Sequence, residues 1–271
     1  MKPILKWAGG KQQLLTQLAP SIPSSYLYVE PFVGGGAVWL HVHPERAIIN
    51  DSNQELINVY KVVRDNPDEL IALLEKHEKA NSRDHFYEIR EQDRDSAAFS
   101  KLSNVERAAR TIYLNKTCYN GLFRVNKKGQ FNTSYNPRSS RNIVNEPDIR
   151  ALHDYLAGND IDIRCGDYTN VLKDLPTNAF VYLDPPYMPV SESANFTRYT
   201  ADRFDYKEQV RLRNWCVKLR AKGVRFVESN SDTPAVRELY KDFTIKTVQA
   251  RRSINSRGDK RGPVNEVLIT M

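Results

Sequence analysis

"YVEPFVGGGAVWLHVHPERAIINDSN", residues 28–53, decides the fold. It contains two short apolar runs, "YVEPF" (28–32) and "AIIND" (47–51), separated by a glycine turn "VGGG" (33–36) and an apolar segment "AVWLHV" (37–42). Runs of that size and composition read as strands. With a helix-sized segment between them they make a strand–turn–helix–strand unit of the parallel α/β kind.

The C-terminal part resumes the alternation. "IDIRCGD" (161–167), "FVYLDPP" (180–186), "GVRFVESNS" (223–231) and "NEVLIT" (265–270) are strand-sized, and a helical stretch near Lys207–Lys222 carries apolar residues at Val210, Leu212, Trp215 and Leu219. Residues 57–160 differ. They read as charged amphipathic helices ("DELIALLEKHEKAN", "VERAARTIYLN") followed by "CYNGLFRVNKKGQFNTSYNPRSSRN", in which two β-prone runs, "LFRV" and "QFNTSY", flank a hairpin tip at "NKKG". The expected organisation is therefore a discontinuous α/β domain, residues 1–56 and 161–271, carrying an insertion at 57–160. Neither an internal repeat nor a low-complexity tract interrupts it.

Composition narrows the function classes. The 271 residues are 40% hydrophobic and 27% charged, as in globular proteins and unlike disordered ones. A formal net charge of +7 points toward a polyanionic partner, although mild basicity is also common among globular proteins. Cys118, Cys165 and Cys216 are odd in number and widely spaced, which argues against a disulfide framework or a Cys-x-x-Cys site. His41 and His43 stand close together but lack a third ligand, so no metal is expected. The start "MKPILKWAGGKQQLL" has no apolar run long enough for a signal-peptide core, and the expectation is a cytoplasmic protein with no membrane partner.

Two motifs carry chemistry. Gly34, Gly35 and Gly36 lie between strand and helix, where backbone can approach a ligand closely or simply permit tight packing. Asp51 ends the next strand 51 − 34 = 17 residues later, near the offset at which an acid meets a ribose in nucleotide-binding α/β folds. The absence of a Gly-Lys-[Ser/Thr] ending argues against a nucleoside triphosphate and favours an adenosyl-type cofactor. The second motif ends the strand in "AFVYLDPPYMPV" (179–190) with Asp184, Pro185, Pro186 and Tyr187. An aromatic primary amine such as adenine N6 is a poor nucleophile because its lone pair is delocalised into the ring. Acceptors for its two N–H groups localise that pair: Asp184 offers one, and the Pro185 carbonyl, held by two locked φ angles, offers the other. Tyr187 supplies a ring on which a flat base can stack. The plain alternative is that the prolines stop a strand and the acid caps the next turn of the chain. Such a tetrapeptide arises by chance on the order of once in a thousand chains of this length, and strand C-terminal ends are where open α/β sheets bind ligands.

In order along the chain, "LKWAGGK", "VEPFVGGG", "INDSN", "YNGLFRVNKKGQFN", "GDY", "DPPY", "SNSDT" and "RRSINS" resemble the Dam-type (GATC-specific) DNA adenine-N6 methyltransferases of bacteria and phages. The resemblance covers essentially the whole chain. It implies a Rossmann-like methyltransferase sheet that binds S-adenosyl-L-methionine, with an inserted helical and β-hairpin target-recognition domain. It also implies direct in-line methyl transfer to a flipped adenine in double-stranded DNA, without metal or covalent intermediate.

Residue by residue, it gives Trp7 and Lys11 a part in holding the cofactor, together with Glu30, Phe32 and Gly34 of the glycine turn and Asp51 beyond it. Asp184 to Tyr187 match the catalytic motif, with Asp184 near cofactor and target alike. Asp167 matches an acidic position beside the adenine pocket, although a capping or turn role fits it equally. In the insertion, Arg124 matches the arginine that reads guanine, and Tyr119 matches an aromatic wedge that offsets the cost of base extrusion. Asn120 and Leu122 lie in the same element. Lys127 and Lys128 suit phosphate contact or a solvated tip, and Arg251, Arg252 and Arg257 suit a backbone-contacting loop or plain surface charge. Where the family commonly has Pro and Gly, this chain has Ser134 and Asn136, which implies looser reading of the outer base pairs of GATC. Other readings of the holder are cytosine N4, an RNA base, a protein glutamine amide, or a catalytically silent DNA-binding relative. The implied partners are duplex DNA and, in a restriction–modification setting, a cognate restriction system.

Overall fold

Seven strands form one sheet in a computed structural model that describes residues 1–7, 9, 11–23, 26–138, 142–188, 204–251 and 263–271. They are β1 (Leu27–Glu30), β2 (Arg46–Asp51), β3 (Asp160–Cys165), β4 (Ala179–Leu183), β5 (Arg225–Ser231), β6 (Thr244–Arg251) and β7 (Pro263–Thr270). Their order across the sheet is β3-β2-β1-β4-β5-β7-β6; the first five are mutually parallel and β7 runs antiparallel between β5 and β6. This is a Rossmann-like α/β sheet, as the sequence implied. The chain leaves β1 toward β2 on one side and returns from β3 to β4 on the other, so the strand order reverses between β1 and β4. Open α/β sheets bind ligands at such a reversal, beyond the carboxyl ends of the strands.

Both faces of the parallel strands are buried, which is why they read as continuous apolar runs. Side chains alternate: on β4, Phe180 and Tyr182 enter one core and Val181 and Leu183 the other. The second core is closed by the helix Tyr206–Lys222 through Leu212, Cys216 and Leu219. Asp205 caps that helix at one end, and Gly223, at φ 76°, ends it at the other.

The first core runs without a break from the sheet into the region between β2 and β3. It joins Tyr28, Trp39 and Ile49 to Tyr60, Ile112, Phe123, Phe131 and Ile149. The expected boundary between residues 56 and 57 falls inside the helix Gln54–Asp65, which helps to cover β2 and β3. In the middle of the region stands the helix Asn104–Thr117, started by a capping box between Ser103 and Glu106. A narrow hairpin comes next, with bridges Cys118↔Tyr135 and Val125↔Phe131 and a tip closed by Gly129 at φ 77°. Asp93 and Arg94 anchor it: the Phe131 amide donates to Asp93 Oδ2 (2.7 Å), and Arg94 donates to the Phe131 carbonyl (2.7 Å). No helix among the described residues is long and apolar enough to cross a membrane.

Candidate active site

The ends of β1, β2 and β4 bring Glu30, Asp51 and Asp184 to the reversal point. Parallel pairing of β1 with both β2 and β4 fixes their order across the edge. The N-terminal segment delivers Lys11 to the same place. Its buried ammonium lies 2.8 Å from Asp184 Oδ1, 2.7 Å from the Gly9 carbonyl and 4.6 Å from the centroid of the Tyr187 ring. Ser229, on β5 beside β4, also donates to Asp184 Oδ1 at 2.8 Å. Oδ2 of Asp184 has no partner among the described residues. The carboxylate is thus oriented through one oxygen and open through the other. The Tyr187 hydroxyl donates to Glu266 Oε2 of β7 (2.7 Å), which tethers the far end of the ring.

Glu30 is fully buried and accepts a hydrogen bond from the Tyr28 hydroxyl at 2.7 Å. Burial pushes its carboxyl up to about 8, and the neighbouring Asp184 charge adds to this. The Tyr28 hydroxyl, the Trp39 backbone amide and the Lys11 ammonium oppose it. Asp51 is raised by burial too, although its oxygens accept from the Asn53 amide (2.9 Å) and the Gly34 amide (3.1 Å). Each of these oxygens keeps a lone pair for a further donor.

The glycine turn serves packing first. A Cβ on Gly34 would lie 2.9 Å from the Trp7 ring, and one on Gly36 would lie 2.9 Å from the Tyr60 hydroxyl. Tyr60 in turn donates to the Gly34 carbonyl at 2.8 Å. Trp7 therefore lies over the turn, and Phe123 of the inserted region stacks against it, ring to ring at 5.0 Å. Phe32 sits against Tyr168 and Phe204 (centroids 4.9 and 5.8 Å). Asp167 lies just after β3 at the same edge, but its carboxylate is engaged by the Thr169 amide (2.9 Å) and by Arg211 (2.9 Å). Burial would raise Asp167, and the Thr169 and Arg211 hydrogen bonds outweigh it, so the group is held below the usual carboxylate range.

These side chains fit a cationic adenosyl cofactor. Glu30, Asp51 and Asp184 are acids, with Lys11 tied to one of them, a set suited to ammonium, sulfonium and ribose hydroxyls and ill suited to phosphates.

The residues expected to read DNA gather on the hairpin. Tyr119 is 60% exposed, Asn120 takes a left-handed φ of 58°, and the Tyr119 amide donates to the Ser134 carbonyl at 2.9 Å. Leu122 is half-buried. Arg124 donates from Nη2 to the Asn132 carbonyl (2.7 Å), and its buried Nε has no partner among the described residues. Lys127 and Lys128 stand exposed at the tip. The Asn136 amide donates to the Thr117 carbonyl (2.9 Å), tying the outgoing strand to the helix end. Arg251 ends β6, while Arg252 and Arg257 lie outside the described residues.

A second junction ties the N-terminal segment to this element. The fully buried Asn115 accepts from the Lys6 amide (2.9 Å) and donates to the Lys6 carbonyl (2.8 Å) and the Gly121 carbonyl (3.1 Å). Sequence reading did not single out Asn115, nor Glu266 and Gln209 around the Asp184–Tyr187 loop, and it met Ser229 only as the first residue of the motif "SNSDT". The one visible signal was the polar ending "ESNS" of an otherwise apolar strand, all four residues of which are buried.

A family model for D12 class N6 adenine-specific DNA methyltransferases matches residues 7–254. A type II methyltransferase of Lactococcus lactis subsp. cremoris is 43% identical over 271 residues, covering 100% of this chain and 95% of the relative. A type II methyltransferase of Methanocaldococcus jannaschii is 39% identical over 291 residues (99% and 98%). The DNA adenine methylase of Escherichia coli K12 is 33% identical over 267 residues (97% and 93%).

Proposed function

Since the chain belongs to the D12 class N6 adenine-specific DNA methyltransferases, we propose that it methylates adenine within GATC in duplex DNA, with Asp184–Tyr187 as the holder of the flipped base. The observation that carries this reading is the Asp184 carboxylate. Its Oδ1 is held by Lys11 and Ser229, its Oδ2 is open, and the Pro185 carbonyl comes next at the reversal point of the sheet. Asp184 Oδ2 and that carbonyl accept the two N6–H bonds, which concentrates the nitrogen lone pair toward the donor. Tyr187 stacks on the base. The Lys11 ammonium, 2.8 Å from Oδ1, orients the Asp184 carboxylate.

S-adenosyl-L-methionine, the methyl donor of such enzymes, supplies an electrophilic methyl group on a sulfonium. Glu30 would meet its amino group, Asp51 its ribose, and Trp7, Lys11, Phe32, Gly34 and Asp167 the remainder of the pocket. Residues 1–56 and 161–271 form the catalytic part and residues 57–160 the reading part. There Arg124 selects guanine, Tyr119 fills the stack, Asn120 and Leu122 complete the recognition element, and Lys127, Lys128, Arg251 and Arg252 contact phosphates. The net charge of +7 supports a DNA partner. The type II relatives support a setting beside a restriction enzyme. The family match leaves cytosine N4, RNA bases and protein glutamine without support.

The test is transfer of labelled methyl to duplexes containing GATC, each single-base variant of it, or GATC premethylated on both strands. Label recovered as N6-methyladenine on GATC alone supports the reading in full. Label spread over the variants keeps the chemistry and assigns relaxed specificity to Ser134 and Asn136. Label on a different site alone overturns the GATC assignment.

A further inference from the structure

The Asp184–Tyr187 loop is rigid for two separate reasons, and only one of them is proline. The rings lock φ at Pro185 and Pro186. Asp184 and Pro185 each precede a proline, which confines their ψ to the extended range. The soft torsions left are ψ of Pro186 and φ of Tyr187, and these set the direction of the Pro186 carbonyl and the attitude of the tyrosine ring.

The Pro186 carbonyl accepts from Gln209 Nε2 at 2.9 Å. Gln209 Oε1 accepts from Asn230 Nδ2 at 3.0 Å, and the same Nδ2 donates to Glu228 Oε1 at 3.1 Å. Asn230 Oδ1 accepts from the Ser231 amide (2.9 Å) and the Met188 amide (3.4 Å), and Ser231 Oγ donates to the Met188 carbonyl (2.8 Å). Gln209, Glu228, Asn230 and Ser231 are all buried. The direction of the chain is forced. A backbone N–H can only donate, so Asn230 must turn its oxygen to Ser231 and its NH2 to Gln209. Gln209 must then answer with its oxygen and spend its own NH2 on Pro186.

We propose that Gln209, oriented by Asn230, is a positioning residue for methyl transfer: it fixes ψ of Pro186 and thereby the attitude of the Tyr187 ring relative to Asp184 Oδ2 and the Pro185 carbonyl. The proposal rests on reading Asp184–Tyr187 as the amine holder. Gln209 touches neither substrate nor cofactor in this scheme and acts only through the loop.

Gln209→Glu is the discriminating variant. A protonated Glu can donate to Pro186 and accept from Asn230, reproducing the relay. An ionised one can only accept, and it repels the carbonyl. Among the described residues, the ionisable groups flanking this position are Glu228 on β5, itself raised by burial to about 7, Asp184 at the end of β4, Asp205 at the helix cap, and Tyr206, Glu208 and Arg213 on its own helix; Lys207 is exposed, Arg211 is engaged by Asp167 and Glu208, and Arg213 by Asp242. The acids and burial together move the new carboxyl upward into an accessible range.

The experiment measures single-turnover methyl transfer to unmethylated duplex DNA of random sequence, from about pH 6 to about pH 9, as the ratio of Gln209→Glu to wild type. Dissociation constants for S-adenosylmethionine and DNA are measured alongside. The expected result is a ratio that falls roughly 10- to 100-fold as pH rises, with both dissociation constants unchanged, since misplacing reacting groups costs rate before affinity. A ratio flat with pH overturns the relay. Gln209→Met, neutral at every pH, is the second variant: a rate reduced at least roughly 10-fold with binding intact supports the relay, and a wild-type rate overturns it. Absence of transfer by wild type overturns the amine-holder reading and the relay with it, whereas wild-type transfer beside unaffected variants overturns the relay alone.

Discussion

Glu30→Gln should make the protein more stable and its cofactor site worse. The Glu30 carboxyl, ordinarily at 4.5, stands at about 8 in the folded chain because it is buried at the end of β1. An acid raised on folding binds its proton more tightly in the native state. The stability this lends is complete below about 4.5 and drains away as pH rises toward about 8. At pH 7 the unfolded carboxyl is ionised and the folded one protonated, so the cost is roughly 1.4 kcal/mol for each of the roughly 2.5 units between 4.5 and 7, about 3 kcal/mol. At pH 5 it is only about 1 kcal/mol. A glutamine keeps the shape, still accepts from the Tyr28 hydroxyl and carries no such penalty. With an unfolding entropy of about 2.1 cal/mol/K per residue, the variant should melt about 5 °C above wild type at pH 7 and about 1 to 2 °C above it at pH 5. Thermal unfolding of the ligand-free protein in both buffers reads the difference. The same variant should bind S-adenosylmethionine more weakly in calorimetry, since a carboxyl can give up its proton to meet an ammonium as an anion and an amide cannot. A melting difference equal at the two pH values, or wild type the more stable at pH 7, refutes the burial argument.

Asp184→Asn should lower the rate of transfer by at least roughly 100-fold while leaving DNA binding in place; a rate within roughly 10-fold of wild type removes the carboxylate from the chemistry. Replacing Lys127 and Lys128 together by Gln should flatten the plot of log Kd for DNA against log salt by up to about 2. An unchanged slope makes the tip a solvated surface. Gly36→Ala should cost on the order of 2 kcal/mol in denaturant unfolding, because φ is 74° and the new Cβ would sit 2.9 Å from the Tyr60 hydroxyl. A loss below about 0.5 kcal/mol would mean that the turn relaxes freely.

The parallel half of the sheet was legible because strands buried on both faces leave long apolar runs; "FVYL" and "AIIND" could hardly be anything else. β6 was not. "TIKTVQAR" is paired, among the described residues, with β7 alone, and among its described side chains only Val248 is fully buried, so its sequence carries almost no hydrophobic signal. Within the site, Asp51 and Asp184 could be picked out because acids at the ends of apolar strands are unusual, whereas Lys11 and Glu30 were reached only through the family resemblance of "LKWAGGK" and "VEPFVGGG". Their supports could not. Ser229, Gln209 and Glu266 are chemically ordinary residues, 45, 23 and 79 positions from their partners Asp184, Pro186 and Tyr187. The placing of β5 beside β4 and β7 beside β5 brings Ser229 and Glu266 there, and the packing of the helix Tyr206–Lys222 on the second core brings Gln209. Asp167 shows the opposite: its position at the sheet edge was readable, its engagement by Arg211 on a later helix was not.

The double grip of Asn115 on Lys6, with Trp7 lying between the glycine turn and Phe123, bears on how such an enzyme could be re-engineered. Residues 104–138 look like a cassette to be exchanged for another when a different sequence is to be methylated. They are not one. A donor segment lacking the amide at 115 strands the Lys6 peptide group, buried and unbonded, and one lacking the ring at 123 leaves Trp7 half-covered above the glycine turn. The exchangeable unit is two stretches of chain, the first residues around Ile4–Trp7 together with the helix and hairpin a hundred residues on. A graft that moves them jointly keeps the cofactor side intact while the DNA side is replaced.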